Sequence, residues 1–163
     1  GVPSPAVYDV VQYADRFGVI YERITGASIL DLLLADPDAV VPLAHQLAET
    51  HATLTLRNIT GLATTHQRLA EALEYAGRND GPLPADLRDQ SLRALAALPD
   101  GEALSHGDYH PGNVLIAERG PLVIDWENVR VGHPAADVAR TELLILVDRS
   151  TFPPPSAPGA LLM

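Results

Sequence analysis

Two carboxylates and one carboxamide stand out in the sequence for the chemistry their types and spacing permit. Asp108 and Asn113 share the run S-H-G-D-Y-H-P-G-N-V-L-I, from Ser105 to Ile116, and Asp125 closes a second apolar run, P-L-V-I-D-W-E, from Pro121 to Glu127. An ionised Asp only accepts hydrogen bonds, so Asp108 can orient an attacking hydroxyl and take its proton. Asn113 offers a neutral oxygen and Asp125 an anionic one, which suits a hard Mg2+ whose other ligands are waters and phosphate oxygens. A base beside such a cation is the equipment of phosphoryl transfer. There the transition state spreads charge over phosphate oxygens, and the protein supplies mainly positioning and electrostatics.

Positioning requires rigid support. Val114 to Ile116 before a turn at Arg119 to Pro121, and Leu122 to Ile124 after it, read as two short buried strands that fix the loop from below. The spacing from His106 through Asp108 to Asn113 is that of the kinase catalytic loop, H-x-D-x-x-x-x-N, and Asp125 stands where the D-F-G aspartate does. On H-G-D-Y-H-P-G-N-V-L-I and V-I-D-W-E together, the chain resembles the aminoglycoside phosphotransferase family. These are kinase-like small-molecule phosphotransferases that also include macrolide, choline and fructosamine kinases. Trp126 and Glu127 replace the D-F-G phenylalanine and glycine, as is common in the family. Gly132 to Arg140, G-H-P-A-A-D-V-A-R, is similar to the family's next segment, which implies that Asp137 leads a helix and braces the loop.

The resemblance implies an α+β, protein-kinase-like fold: mostly the helical C-lobe with a catalytic β-hairpin, and a remnant hairpin of the N-lobe sheet. It implies ATP or GTP as donor, Mg2+ as metal, and a small-molecule hydroxyl as acceptor. Glu22 and Ile24 would contact the nucleotide's adenine through hinge backbone groups, with Asp108 catalytic, Asn113 and Asp125 holding the metal, and His106 and Asp137 supporting the site. It covers nearly the whole chain but only about the middle of a full family member.

Two other readings use the same residues. His106, Asp108 and His110 form H-x-D-x-H, which Asp125 or His133 could complete as a transition-metal site in a metallohydrolase. That reading leaves Asn113 and the strand-turn-strand frame without a role. A non-catalytic, kinase-like remnant or binding module is the other. The chain has no lysine, all 11 basic residues being Arg, and no Gly-rich loop, the two features with which kinases grip nucleotide phosphates. Nothing in the sequence places Arg23 or Arg130 beneath a phosphate loop. Residues 1–163 alone are therefore expected not to transfer phosphate at a useful rate.

Composition sets outer limits. At 163 residues and 47% hydrophobic the chain suffices for one cored domain. A formal net charge of −10 argues against a nucleic-acid partner and fits a cationic ligand; together with the resemblance it implies a hydroxylated amine such as an aminoglycoside as acceptor. No run approaches a membrane span or opens as a signal segment, and with zero Cys there is no disulfide framework, so a cytoplasmic location is the expectation. Because it starts at Gly1, the chain reads as processed or as a piece of something longer.

Along the chain, residues 1–24 are expected to be the N-lobe remnant and hinge, with strands at 6–12 and 17–22, and residues 25–150 the C-lobe. Gly26 is expected to break the strand, Ser28 to Leu34 to form a short helix, and Asp36-Pro37-Asp38 to stop and restart it. Apolar stripes then predict three helices: Val40, Leu43, Leu47, His51 and Leu54; Leu62, Leu69, Leu73 and Ala76; and Leu87, Ala94, Leu95 and Leu98. His51 is expected to be a core histidine with a satisfied hydrogen bond. Arg78 to Pro84 reads as a linker. Ala135 to Val147 should be a helix with Val138, Thr141, Leu144 and Ile145 inward, and residues 151–163 a Pro-rich, poorly ordered tail.

Overall fold

The computed structural model describes residues 1–57, 59–78 and 81–147. The expected tail, Asn58 and the middle of the 78–84 linker lie outside the described residues. Strands β1 (Val7–Tyr13) and β2 (Arg16–Tyr21) form the expected antiparallel hairpin, closing on Tyr13 opposite Arg16. No other described strand pairs with it, and all of β1 is exposed, Tyr8 included, as is Phe17 on β2. Such a two-stranded ribbon is marginal on its own.

Gly26 does not end the strand character, as the sequence suggested; it begins β3 (Gly26–Ser28). This strand runs antiparallel to β5 (Val114–Ala117) with Gly26 opposite Ala117. The glycine is needed for close approach, because a Cβ there would lie 2.3 Å from the Ile116 carbonyl oxygen. Strand β5 also pairs with β6 (Gly120–Val123), so it is the middle strand of three, in the order β3-β5-β6.

Helix α1 (Ile29–Ala35) starts at a capping box, Ser28 and Asp31 each bonding the other's backbone N–H. Asp36 ends it and caps the 3₁₀ turn Pro37–Ala39 that restarts the chain into α2 (Val40–Thr55), as expected. A second capping box, Thr64 with Gln67, starts α3 (Thr65–Ala76), so Leu62 precedes the helix. Then come α4 (Ala85–Ala97), β4 (Ala103–Ser105), β7 (Arg130–Gly132) and α5 (Ala135–Val147), with β4 and β7 antiparallel. The pairing of β4 with β7 had no sequence signal, since three-residue strands are too short to show a period.

The central core consists of Ile29, Leu54, Tyr109, Val114 and Val123, with Leu43, Leu47, Ile116 and Trp126 against it. It therefore lies between α1, α2 and the β5–β6 hairpin, directly under the loop that carries Asp108. Leu43, Leu47, His51 and Leu54 face inward on α2, while Val40 is exposed. Other helical faces differ from expectation: Leu69 on α3, Leu87, Ala94 and Leu98 at α4, and Val138 and Ile145 on α5 are exposed, whereas Leu95, Thr141 and Leu144 are buried or half-buried. Periodicity finds an apolar stripe but not whether a neighbour covers it, and no described element covers these. Among the described residues no helix is long and apolar enough to cross a membrane.

Gly26→Ala should break the β3–β5 approach and destabilise the fold by about 1–3 kcal/mol, the usual range for forced overpacking. Urea denaturation with unchanged midpoint would show that the backbone can move aside.

Candidate active site

Strand β4 ends at Ser105 and delivers the loop; strand β5 takes it up at Val114. Between them the backbone is fixed largely by one buried carboxylate. Asp137, in the first turn of α5 and 1% exposed, accepts hydrogen bonds from Ser105 Oγ (2.7 Å), His106 N–H (2.7 Å), Gly107 N–H (2.8 Å) and His51 Nε2 (3.3 Å). Burial alone would raise its pKa. The donors from His51, Ser105, Gly107 and His106 outweigh burial and hold it below the ordinary 3.8. His51 is thus the satisfied core histidine that its place on the α2 stripe suggested.

Gly107 has φ +80°, and a Cβ there would meet the Asn128 carbonyl oxygen at 2.2 Å, so both conformation and space require glycine. Its carbonyl accepts from Arg130 Nη2 at 2.7 Å. Arg130, half-buried in β7, therefore props the loop; burial lowers its pKa. His106 is fully buried, with Nε2 2.9 Å from the Ile124 carbonyl oxygen and Nδ1 3.3 Å from the Asp108 N–H. A carbonyl can only accept and an N–H only donate, so the ring is a neutral Nε2–H tautomer. Burial pushes its pKa down and keeps it neutral. With both nitrogens committed to backbone, His106 has none left for a metal, which removes the first ligand of the H-x-D-x-H reading.

Asp108 is held at three of its polar groups. Its N–H meets His106, its carbonyl accepts from Asn113 Nδ2 (3.0 Å), and its Oδ1 accepts from Arg140 Nη2 (3.0 Å) and Nε (3.3 Å). Asn113 is buried, and no hydrogen bond among the described residues takes up its Oδ1. Strand register brings Asp125 beside it: Val114 pairs with Val123, and the Ile124 N–H donates to the Asn113 carbonyl at 3.0 Å. Asp125 leaves the strand in the left-handed region (φ 64°, ψ 60°), exposed and with no hydrogen bond to its carboxylate among the described residues. Two free oxygen donors, one neutral and one anionic, fit a Mg2+ that keeps waters and phosphate oxygens. They do not make a full protein cage, and no cluster of three His, Asp or Glu occurs among the described residues.

Two cavities flank this centre. One, of about 650 Å3, is lined by Glu22, Ile24, Leu115, Ile124, Asp125 and Trp126, so three of the sequence-selected residues meet in one cleft. The Glu22 carboxylate is already engaged by Ala6 N–H and Arg119, and the Glu22 N–H by the Ala6 carbonyl. What remains toward the cleft is the Glu22 carbonyl and the Ile24 N–H, neither in a backbone hydrogen bond among the described residues. The other cavity, about 780 Å3, opens between α3, α4 and α5 and is lined by His66, Gly107, Arg130 and Arg140. Glu127 lines both. Asp108 and Asn113 line neither cavity themselves; Gly107 and the Arg140 that grips Asp108 line the second.

Sequence reasoning missed Arg140 and Thr141 as site residues. The signal was present: both lie a helical turn beyond Asp137, and residues at i+3 and i+4 share its face. Thr141 Oγ1 donates to the Tyr109 carbonyl. Tyr109 in turn donates to the Leu47 carbonyl at 2.7 Å, and burial raises its pKa.

Because the folded state holds His106 neutral, the unfolded chain binds the extra proton below the ordinary 6.5, and stability falls as pH drops below that value. Asp137 adds a second loss of the same sign below about 3.8, since its folded pKa is depressed. Melting temperature should therefore decline steadily from pH 7.5 toward 5. Asp137→Asn, which puts a donor among donors, should cost about 3–5 kcal/mol or prevent folding. A melting curve flat across this pH range would show that His106 is not buried neutral.

Comparison with known proteins bears on the fold and the family. A thermostable mutant of aminoglycoside phosphotransferase APH(4)-Ia, in ternary complex with ADP and hygromycin B, superposes with a TM-score of 0.68 at 20% identity, over 90% of this chain and 57% of that one. The aminoglycoside-3'-phosphotransferase of type VIII gives 0.57 at 21% identity, over 95% and 63%. These likenesses confirm the expected kinase-like fold. The viomycin phosphotransferase of Streptomyces vinaceus is 31% identical over 145 residues, 74% of this chain and 48% of that protein, so the chain spans about half the length of this curated relative. The profile of the phosphotransferase enzyme family matches residues 1–153, and the chain belongs to that family.

Proposed function

We propose that this chain is the catalytic core of an ATP-dependent phosphotransferase that moves a phosphoryl group onto a hydroxyl of a small molecule. The observation that carries the reading is the state of the three oxygen-bearing residues. Asp108 is clamped at its backbone and at Oδ1, while Asn113 Oδ1 and the Asp125 carboxylate, adjacent through the Ile124–Asn113 hydrogen bond, have no hydrogen-bond partner among the described residues.

Nucleotide would enter the cleft lined by Glu22, Ile24 and Asp125, with adenine met by the Glu22 carbonyl and the Ile24 N–H. Asn113 and Asp125 would hold a Mg2+ ion, whose charge offsets that on the phosphate oxygens. Asp108 takes the proton of the attacking hydroxyl as the bond to phosphorus forms, and His106 and Asp137 keep it in place. The acceptor would approach from the side of the second cavity, toward which Gly107 and Arg140 face. A relative named for viomycin, and a solved neighbour bound to hygromycin B, support a polar, hydroxyl-bearing acceptor of the aminoglycoside type. A cytoplasmic site of action fits a reaction that draws on ATP.

A second reading is a binding module that takes nucleotide without turning it over. An ATP-consumption assay on the complete gene product carrying this sequence, with Mg2+ and a panel of amino sugars, macrolides, choline and sugar amines, separates the two. Turnover with at least one acceptor is expected. Asp108→Asn should lower kcat by about 10²–10⁴-fold with the fold intact, since it keeps shape and loses basicity. Asp125→Asn should instead raise the Mg2+ requirement and weaken nucleotide binding together. Wild-type kcat in Asp108→Asn would refute the role given to Asp108, and calorimetric nucleotide binding without turnover would establish the binding module.

A further inference from the structure

Helix α5 grips the loop residue by residue. Asp137 takes the N–H groups of His106 and Gly107, Arg140 takes Oδ1 of Asp108, and Thr141 takes the carbonyl of Tyr109. Three side chains on one helical face thus hold consecutive loop positions, and only the Arg140 contact is made to a side chain.

From this geometry we infer that Arg140 is a positioning residue for the base: it fixes the Asp108 carboxylate in one rotamer, with Oδ1 occupied and Oδ2 presented to the acceptor hydroxyl. The inference rests on the reading of Asp108 as base. Arg140 reaches Oδ1 through both Nη2 and Nε, a fork that sets direction as well as charge. Oδ2 has no such partner among the described residues. The nearest cationic candidate is His110 Nε2 at 3.9 Å, beyond hydrogen-bond reach, and the Gly112 N–H donates to His110 Nδ1 at 3.1 Å. With Asp108 N–H and carbonyl already taken by His106 and Asn113, Oδ2 is the group of this residue still open for a substrate proton. The Arg140 side chain is 46% exposed and that of Asp108 23%, so the pair contributes little to global stability. Its effect is local, on a side chain that would otherwise turn about χ1.

The test is a kinetic series in the complete gene product with Arg140→Ala and Arg140→Lys. Arg140→Ala should lower kcat by about 10–100-fold, the cost of a base displaced by about an ångström. The KM values for nucleotide and acceptor should stay near wild type, as should the melting temperature. Added guanidinium should restore part of kcat to Arg140→Ala but none to Asp108→Asn, and Arg140→Lys, a point charge without the fork, should fall between. Unchanged kcat in Arg140→Ala would overturn the inference. So would a raised acceptor KM at unchanged kcat, which would make Arg140 a substrate-binding group. If the wild-type protein transfers no phosphate, the proposed function fails, and Asp108 side-chain couplings measured by NMR in the same protein decide this inference separately. A single Asp108 rotamer in wild type that becomes averaged in Arg140→Ala sustains it, and averaging already present in wild type overturns it.

Discussion

A carboxylate sealed from water and surrounded by donors holds the centre of this molecule together. Asp137 is almost wholly buried, yet its oxygens receive a hydroxyl, two backbone N–H groups and an imidazole. The donors come from two distant stretches of the chain: Ser105, His106 and Gly107, where β4 runs into the loop, and His51 on α2. One anion on α5 therefore ties α2 to the loop that carries Asp108. Satisfied in this way, a buried charge specifies one arrangement; with any donor removed it would become a strong reason to unfold.

Other constraints follow from that anchor. The loop must turn back on itself to present two successive N–H groups to one carboxylate, which drives Gly107 to positive φ and brings it against Asn128. Arg130 then caps the carbonyl that the turn exposes. Beneath the loop, His106 links to the Ile124 carbonyl, and the Ile124 N–H links to Asn113. The end of β6 and the end of the loop are thereby fixed to each other, and Asp125 emerges beside Asn113. The apolar core of Ile29, Leu54, Tyr109, Val114 and Val123 closes the space below.

The sequence was most legible where local rules act alone. The Asp36-Pro37 restart, the β1–β2 and β5–β6 hairpins and the stripe on α2 can be read from neighbours a few positions apart. So can the H-G-D and V-I-D-W motifs, whose spacing is set by a short loop on two short strands. It was illegible where a partner far along the chain decides the outcome. Gly26 is a strand residue because Ile116 lies against it, and Leu87, Ala94, Leu98, Val138 and Ile145 face outward because no described element covers their stripe. Arg130 and Arg140 look like surface cations among 11 arginines until the fold brings them to Gly107 and Asp108.

Polar satisfaction and apolar coverage are distributed unequally over this molecule. At the centre, buried polar side chains are paired: among the fully buried side-chain nitrogens and oxygens of the described residues, only His66 Nδ1 lacks a hydrogen bond. At two ends the reverse holds: the β1–β2 hairpin exposes Val7, Tyr8, Val10, Phe17 and Ile20, and α5 exposes Val138, Leu143, Leu146 and Val147. Ribbon strands with unpaired edges and helices with uncovered stripes open at low free energy, whereas a loop pinned by a buried carboxylate opens only with the whole core. Hydrogen-exchange protection should accordingly be greatest at the N–H groups of His106, Gly107 and Ile124 and least along β1. Because α5 carries both Asp137 and the exposed stripe, its first turn should be the most protected and its last the least. The loop that carries Asp108 thus lies where opening costs most, and the exposed apolar stripes lie on elements that open more easily.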